Sequence, residues 1–185
     1  MDINTVLLTR RTIHSWKALP MPDEVLETAL QAAHMAPCHR YTWPWRFTKV
    51  GPNARSLIFD LTANLKKGNH EVIPERMRQA LIRKIQNPAA LVVVSMVRCE
   101  DAFTERENYA AVSCAIQNLS LSLHASGFGS KWSTGKVTRH EKSYEILGID
   151  QSVEEIVGFI WAGVPETVPA APKRPDLSAC VRVVG

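Results

Sequence analysis

A chain of 185 residues, 45% apolar and 22% charged, can bury the core of one globular domain and is short for two. Its formal charge of +4 comes from 22 Lys and Arg scattered among 18 acids, with no basic tail or stripe, so nucleic-acid binding is disfavoured and an anionic cofactor suits the excess as well. Cys38, Cys99, Cys114 and Cys180 form no C-x-x-C pair, which argues against zinc ribbons, thioredoxin chemistry and a disulfide framework and points to a reducing cytoplasm. With no signal-type leader and no apolar run of about 18 residues, the chain is expected to be neither exported nor membrane-spanning.

Asp2 caps a short helix that carries Ile3, Val6 and Leu7 on one side and delivers Arg10-Arg11-Thr12 at its end. Pro20, Pro22 and Asp23 start a second helix, whose stripe of Val25, Leu26, Ala29, Leu30 and Ala33 lasts until Pro37. After Pro44, the alternation of Trp45 to Val50 reads as a strand ended by Gly51-Pro52-Asn53. Two basic helical stretches follow, about 54–67 and 74–86, with a mobile break at Gly68-Asn69. Asn87-Pro88 then introduces the β-branched run Ala89 to Val97, the pattern of a central strand buried on both faces.

The longest helical pattern, about Glu105 to Ser126, carries Ala110, Ala111, Cys114, Ala115, Leu119 and Leu123 where a charged outer face would be. Such a helix is expected to be buried almost all round, part of it at a subunit interface, and Gly127 and Gly129 stop it. A short helix near 139–147 and a strand at Ile156–Val164 follow. Pro165, Pro169, Pro172 and Pro175 then hold residues 165–185 as an extended arm lying across another surface, its own or a partner's. Helices first, then strands interleaved with helices, make a single α+β layered domain over residues 1–185.

Templates for nucleophilic, metal and phosphate-loop chemistry are missing. There is no G-x-S-x-G, no H-E-x-x-H and no G-x-x-x-x-G-K-[ST], and His14, His34, His39, His70, His124 and His140 show no metal spacing with carboxylates. Gly127-Phe-Gly-Ser130 follows a helix and lacks the third glycine of a dinucleotide loop. Cys38 beside His39 has no orienting third group for thiol catalysis, and Cys114 reads as packing.

Three segments remain that could together hold a flat, phosphorylated redox ring. Arg10-Arg11-Thr12 offers guanidinium forks and a hydroxyl for a phosphate, or is an ordinary basic pair at a helix C-terminus. Ala36 to Trp45 brackets three aromatics, His39 and Arg40 between prolines, as a stacking pocket or as core anchors at Trp43 and Trp45. Gly129 to Gly135 presents amides, hydroxyls and Lys131 to a ring edge, or is a plain β-turn.

These segments, with Ala36-Pro37, Pro44-Trp45-x-Phe47, Ala115-x-Gln117-Asn118-Leu119, Gly127-Phe-Gly129 and Gly158-Phe-Ile-x-x-Gly163-x-Pro165, resemble the FMN-dependent nitroreductase family, in particular its minimal bacterial members. The likeness runs from roughly residue 5 to 176 and rests on the order and spacing of motifs that are each weak alone. It implies an α+β fold with a central, mostly antiparallel sheet between helices, in an intertwined homodimer whose C-terminal arm wraps the partner and adds a strand to its sheet.

By position, the resemblance implies FMN held by Arg10, Arg11 and Thr12, with His39 and Tyr41 approaching from the second subunit. Trp132, Ser133 and Thr134 would contact the ring or ribityl chain, and Lys173 or Arg174 would complete the phosphate site. The chemistry implied is reduction of nitroaromatic, quinone or similar small-molecule acceptors by NADH or NADPH in ping-pong fashion. Flavin N5 would carry the reaction, with no catalytic side chain and no metal, and cations such as Lys131 or the arginine pair would favour negative charge near N1 and O2. The competing readings are a flavin protein with a sensory, storage or flavin-modifying role and a basic nucleic-acid module. Departures from the family are Thr12 for a common Ser, His14 for a common Arg, and Tyr41 and Trp43 where larger members carry amides, so the substrate preference of those relatives does not transfer.

Overall fold

The computed structural model describes residues 1–68 and 71–185. Asn69 of the expected mobile break, and His70, lie outside the described residues. In chain order the elements are α1 (Ile3–Thr9), α2 (Asp23–His34), β1 (Trp45–Lys49), α3 (Pro52–Lys67), α4 (Glu75–Leu81) running into a π turn (Ile82–Gln86), β2 (Ala90–Val97), α5 (Ala102–Ala125), β3 (Gly129–Ser133), α6 (Glu141–Leu147) and β4 (Glu154–Gly163).

The sheet has four strands in the order β1-β2-β4-β3, every neighbouring pair antiparallel. β2 is central, with Leu91 to Met96 all buried, as its unbroken apolar run predicts. Alternation along β4 divides the core into two layers. Ile160 and Ala162 pack with residues of α2 and α5, including Ala29, Ala33, Val112, Ala115 and Leu119. Phe159 and Trp161 point the other way, into a layer with Ile58, Leu81, Ile85 and Tyr144 from α3, α4, the π turn and α6. The sheet therefore lies between helices, the expected α+β arrangement.

Some boundaries and burials differ from the sequence reading. The second helix stops at His34, short of Pro37, because the residue before a proline avoids the helical region and the chain opens into a loop. In α1 only Val6 is buried; Ile3, Leu7 and Leu8 are exposed. Within one chain α5 is buried on one face: Asn108, Ala111, Val112, Ala115, Ile116, Leu119 and Leu123 are buried, while Tyr109, Ala110, Cys114 and Gln117, the part expected at a subunit interface, are exposed. Its bare face is small and weakly polar, so periodicity does not separate it from the buried one. Gly129 to Gly135 is no isolated turn, because its first five residues form edge strand β3.

The C-terminal arm starts by running beside the N-terminal segment. Trp16 bridges Pro165, Lys17 N donates to Val164 O (3.0 Å) and Glu166 N donates to Ser15 O (3.1 Å). From Glu166 onward it is exposed, including Val168, Leu177, Val181, Val183 and Val184. No helix among the described residues is long and apolar enough to cross a membrane.

Candidate functional site

Edge strand β3 is the scaffold of the site. Its outer side is met by the segment after α1: Thr12 forms a parallel bridge with Ser130, and Ile13 N donates to Ser130 O at 3.0 Å. The approach is so close that a Cβ on Gly129 would fall 2.4 Å from Ile13 Cγ1 and 2.9 Å from Pro165 Cγ. Glycine there lets residues 10–14 lie along the strand.

The two neighbouring arginines have different surroundings. Arg11 Nη1 donates to Leu8 O (2.9 Å) and Arg10 O (2.8 Å), so it covers carbonyls at the C-terminal end of α1. Arg10 is half-buried, and burial, then the like charges of Arg11 and Arg174, push its pKa down. Among the described residues no acid is ion-paired with either arginine or with Arg174. Arg10 and Arg11 also line a cleft of about 130 Å³ with His124, Gly127, Phe128 and Gly129. That volume suits a phosphate-sized group and not a whole flavin. His124 lies 2.8 Å from Thr9 Oγ1, and burial, then Arg10 and Arg11, hold its pKa below the ordinary histidine value.

Strand alternation divides the late glycine segment. Lys131 and Ser133 lie opposite Trp161 and Phe159 of β4, on the α3 and π-turn side. Trp132, 36% exposed, lies on the other side over Gly158, where a Cβ would fall 2.1 Å from its Nε1. Lys131 Nζ on β3 is 3.1 Å from His14 Nδ1. Burial lowers the Lys131 pKa, and burial, then Lys131 and Lys66, lower that of Lys84 on the π turn. Ser133 Oγ is buried without a hydrogen-bond partner. Thr134 is exposed just past the strand, and Lys173 is exposed on the arm.

His39 and Tyr41 sit elsewhere. Their loop has non-glycine residues at positive φ, namely Arg40 (53°), Tyr41 (56°) and Trp43 (45°). Such a conformation persists only when neighbours hold it. Here Cys38 Sγ accepts from Trp43 N (3.2 Å) and Thr42 Oγ1 donates to Asn108 Oδ1 (2.6 Å), while His39 Nε2 lies 3.5 Å from Glu107 Oε2. Trp45 is a core anchor at 4% exposure, whereas Tyr41 projects at 76%. The loop is thus tied to α5 at residues 107–108 and the arginine segment at His124. At 1.5 Å per helical residue these attachment points are about 25 Å apart. Within one chain His39 and Tyr41 do not join Arg10, Lys131 and Ser133.

The sequence reading omitted Lys84 and His124 from the site. Lys84 resembles any solvated lysine of a basic helix until the fold packs it near β3, and His124 ends an apolar helix with no local signal of phosphate-sized space beside it.

Comparison with known proteins agrees with this architecture. The family model described as "Nitroreductase family" matches residues 7–164. YfhC of Bacillus subtilis (strain 168), provisionally named as an NAD(P)H nitroreductase, is 30% identical over 174 residues, covering 93% of this chain and 89% of that protein. A nitroreductase-like protein from Bacillus cereus superposes with a TM-score of 0.83 at 24% identity, covering 100% of this chain and 96% of that one. A Desulfovibrio desulfuricans protein, provisionally described as a nitroreductase and solved in complex with FMN, gives a TM-score of 0.77 at 21% identity, covering 100% and 98%. The family match spans most of the chain, including the arginine segment, the aromatic loop and all four strands, and the chain belongs to the nitroreductase family.

Proposed function

We propose that the protein is an FMN-dependent oxidoreductase that uses NADH or NADPH to reduce small electron-poor acceptors such as nitroaromatics and quinones. The observation that carries the reading is the half-buried Arg10 beside Arg11 and Arg174, with no ion-paired acid among the described residues, on the same edge strand as the orphaned Ser133 hydroxyl. The donor set fits the cofactor: Arg10, Arg11, Thr12 and one of Lys173 and Arg174 for the phosphate and ribityl chain, with Lys131, Trp132, Ser133 and Thr134 along the ring. His124 and Lys84 extend the two ends of that set.

FMN, when bound, supplies hydride acceptance at N5 and electron delivery to the acceptor. The chain's own residues bind and polarise. Arg10 already stands desolvated beside like charge, so an entering phosphate relieves repulsion as well as making charge-assisted hydrogen bonds. Lys131 and Lys84 are ammonium groups held partly out of water, and they favour negative charge at the ring edge without a protein nucleophile. A single face serving reductant and acceptor in turn gives ping-pong kinetics.

His39 and Tyr41 complete the site in the reading only from a second copy of the chain, and the proline-rich arm of residues 165–185 crosses to that copy. The exposed face of α5 at Tyr109, Ala110, Cys114 and Gln117 is the proposed contact between copies, and the small side chains of Ala110 and Cys114 allow close helix approach.

The purified protein is expected to be yellow, to bleach anaerobically with NADH or NADPH, and to recover its colour with a quinone or nitroaromatic. Bleaching without reoxidation by any acceptor supports the storage or sensory role instead, and a colourless chain that takes up no added FMN overturns both.

A further inference from the structure

A second cationic site lies at the far end of β3 from the Arg10 cleft. A cleft of about 400 Å³ opens between α3, the π turn and the loop after β3, lined by Thr62, Leu65, Lys66, Lys84, Gly135 and Lys136. Lys131 adds its charge beside Lys84. Among the described residues none of these four lysines takes part in an ion pair. Lys84 and Lys131 are half-buried at the inner side, and Lys66 and Lys136 are exposed at the rim.

Drawing several ammonium groups into one concavity without a carboxylate opposes folding, because desolvation and mutual repulsion act in the same direction. The phosphate assigned to the Arg10 cleft does not answer this charge. β3 from Gly129 at that cleft to Ser133 spans about 13 Å, and Gly135 at this one lies beyond it, more than one phosphate can bridge. An oxidised flavin ring is uncharged, and the two inner lysines suffice to polarise its edge. Lys66 and Lys136 are left over, one on α3 and one after β3, lining a space large enough for a substituted aromatic ring or a nucleotide phosphate.

We infer that this cleft receives the anionic substituent, phosphate or carboxylate, of the small molecule that shares the flavin site, gripped at the rim by Lys66 and Lys136. The inference rests on the flavin reading above and narrows its substrate class to anionic reductants or acceptors. Two sources share this chemistry, the extra phosphate of NADPH and a carboxylate on the acceptor.

The test uses the FMN-loaded protein and its Lys66→Gln/Lys136→Gln variant. Binding of 4-nitrobenzoate and 4-nitrobenzamide is followed through the flavin absorbance, and kcat/KM is measured for NADPH and NADH at low and high salt. The variant is expected to lose about tenfold for the more anionic member of one pair, to leave the other member unchanged, and to lose most of the salt sensitivity. Loss confined to nitrobenzoate assigns the anion to the acceptor, and loss confined to NADPH assigns it to the reductant. If both members of each pair keep their values or fall together, the inference is overturned.

Failure of the flavin reading is seen separately, as wild-type chain that takes up no FMN. The cleft is then probed by calorimetry with inorganic pyrophosphate on the apoprotein. Binding that survives Arg10→Ala and disappears in the double lysine variant upholds the anion site; the absence of heat overturns it.

Discussion

Arg10 and Arg11 carry the same side chain one position apart, yet one covers the carbonyls that end α1 while the other stands half-buried among like charges. Their substitutions should therefore separate. Arg10→Ala removes charge-assisted bonds to a phosphate, each about 1.5–3 kcal/mol, and should weaken FMN binding about 10- to 100-fold by fluorescence titration with little change in melting temperature. Arg11→Ala should lower the melting temperature more, and weaken FMN binding less, than Arg10→Ala does. Equal flavin affinity in Arg10→Ala and wild type would remove Arg10 from the site.

Lys84 makes the complementary case. Its folded pKa lies below the ordinary 10.5, so between the two values the unfolded chain binds more protons than the folded one and stability rises with pH. The penalty of the buried charge is fully present below the folded pKa and fades as pH climbs toward 10.5. Lys84→Met should stabilise the apoprotein near neutral pH, with the advantage shrinking on the alkaline side in denaturant titrations, and should weaken flavin binding. A variant that is less stable than wild type at neutral pH would show Lys84 to be structural. None of this contrast is written locally, since each arginine and lysine acquires its surroundings from residues far along the chain.

At the scale of elements, the apolar runs were the readable part. The β-branched run of β2, the alternation of β1 and the capping Asp2 of α1 fix local structure through nearest neighbours, and all three form where expected. β3 was not legible as a strand. Its sequence Gly-Ser-Lys-Trp-Ser has little β-branched character, and the strand exists because β4 pairs with it through five residues. That pairing sets which side chains share a face, so Lys131 and Trp132, adjacent in sequence, act on opposite sides of the sheet.

The junction between β3 and the N-terminal segment can be tested at Gly129. Gly129→Ala places a methyl carbon against Ile13 and Pro165, and the overpacking should cost about 1–3 kcal/mol and push the Arg11-Thr12-Ile13 segment off the strand. Flavin affinity should fall with stability, and adding Ile13→Ala, which removes the atom met first, should recover part of both. Flavin binding unaffected by Gly129→Ala would show that this close approach does not build the site. Which face of α5 meets the sheet was not legible for a related reason: small residues such as Ala110 and Cys114 suit either face equally, and only the placement of the sheet tells the two apart.

For the molecule as a whole, the roughly 25 Å between the attachment of the aromatic loop and that of the arginine segment implies that a site using both draws on two copies of the chain. Co-expression tests this. Arg10→Ala chains and His39→Ala/Tyr41→Ala chains should each bind flavin poorly, whereas their mixed dimer places both defects in one site and leaves the other site whole. Isolated mixed dimers should bind one tight flavin per pair by spectrophotometric titration; two weak sites would mean that each chain builds its own.

Periodicity, capping and the order of weak motifs sufficed for the α+β class and the family, because those features depend on contacts between residues close in sequence or on spacing alone. The fold had to assemble before Lys84 met Lys131, Trp132 parted from Lys131, one face of α5 was left bare and two cationic clefts stood at opposite ends of one edge strand. Such relations join residues tens of positions apart, and no local rule encodes the distance between them.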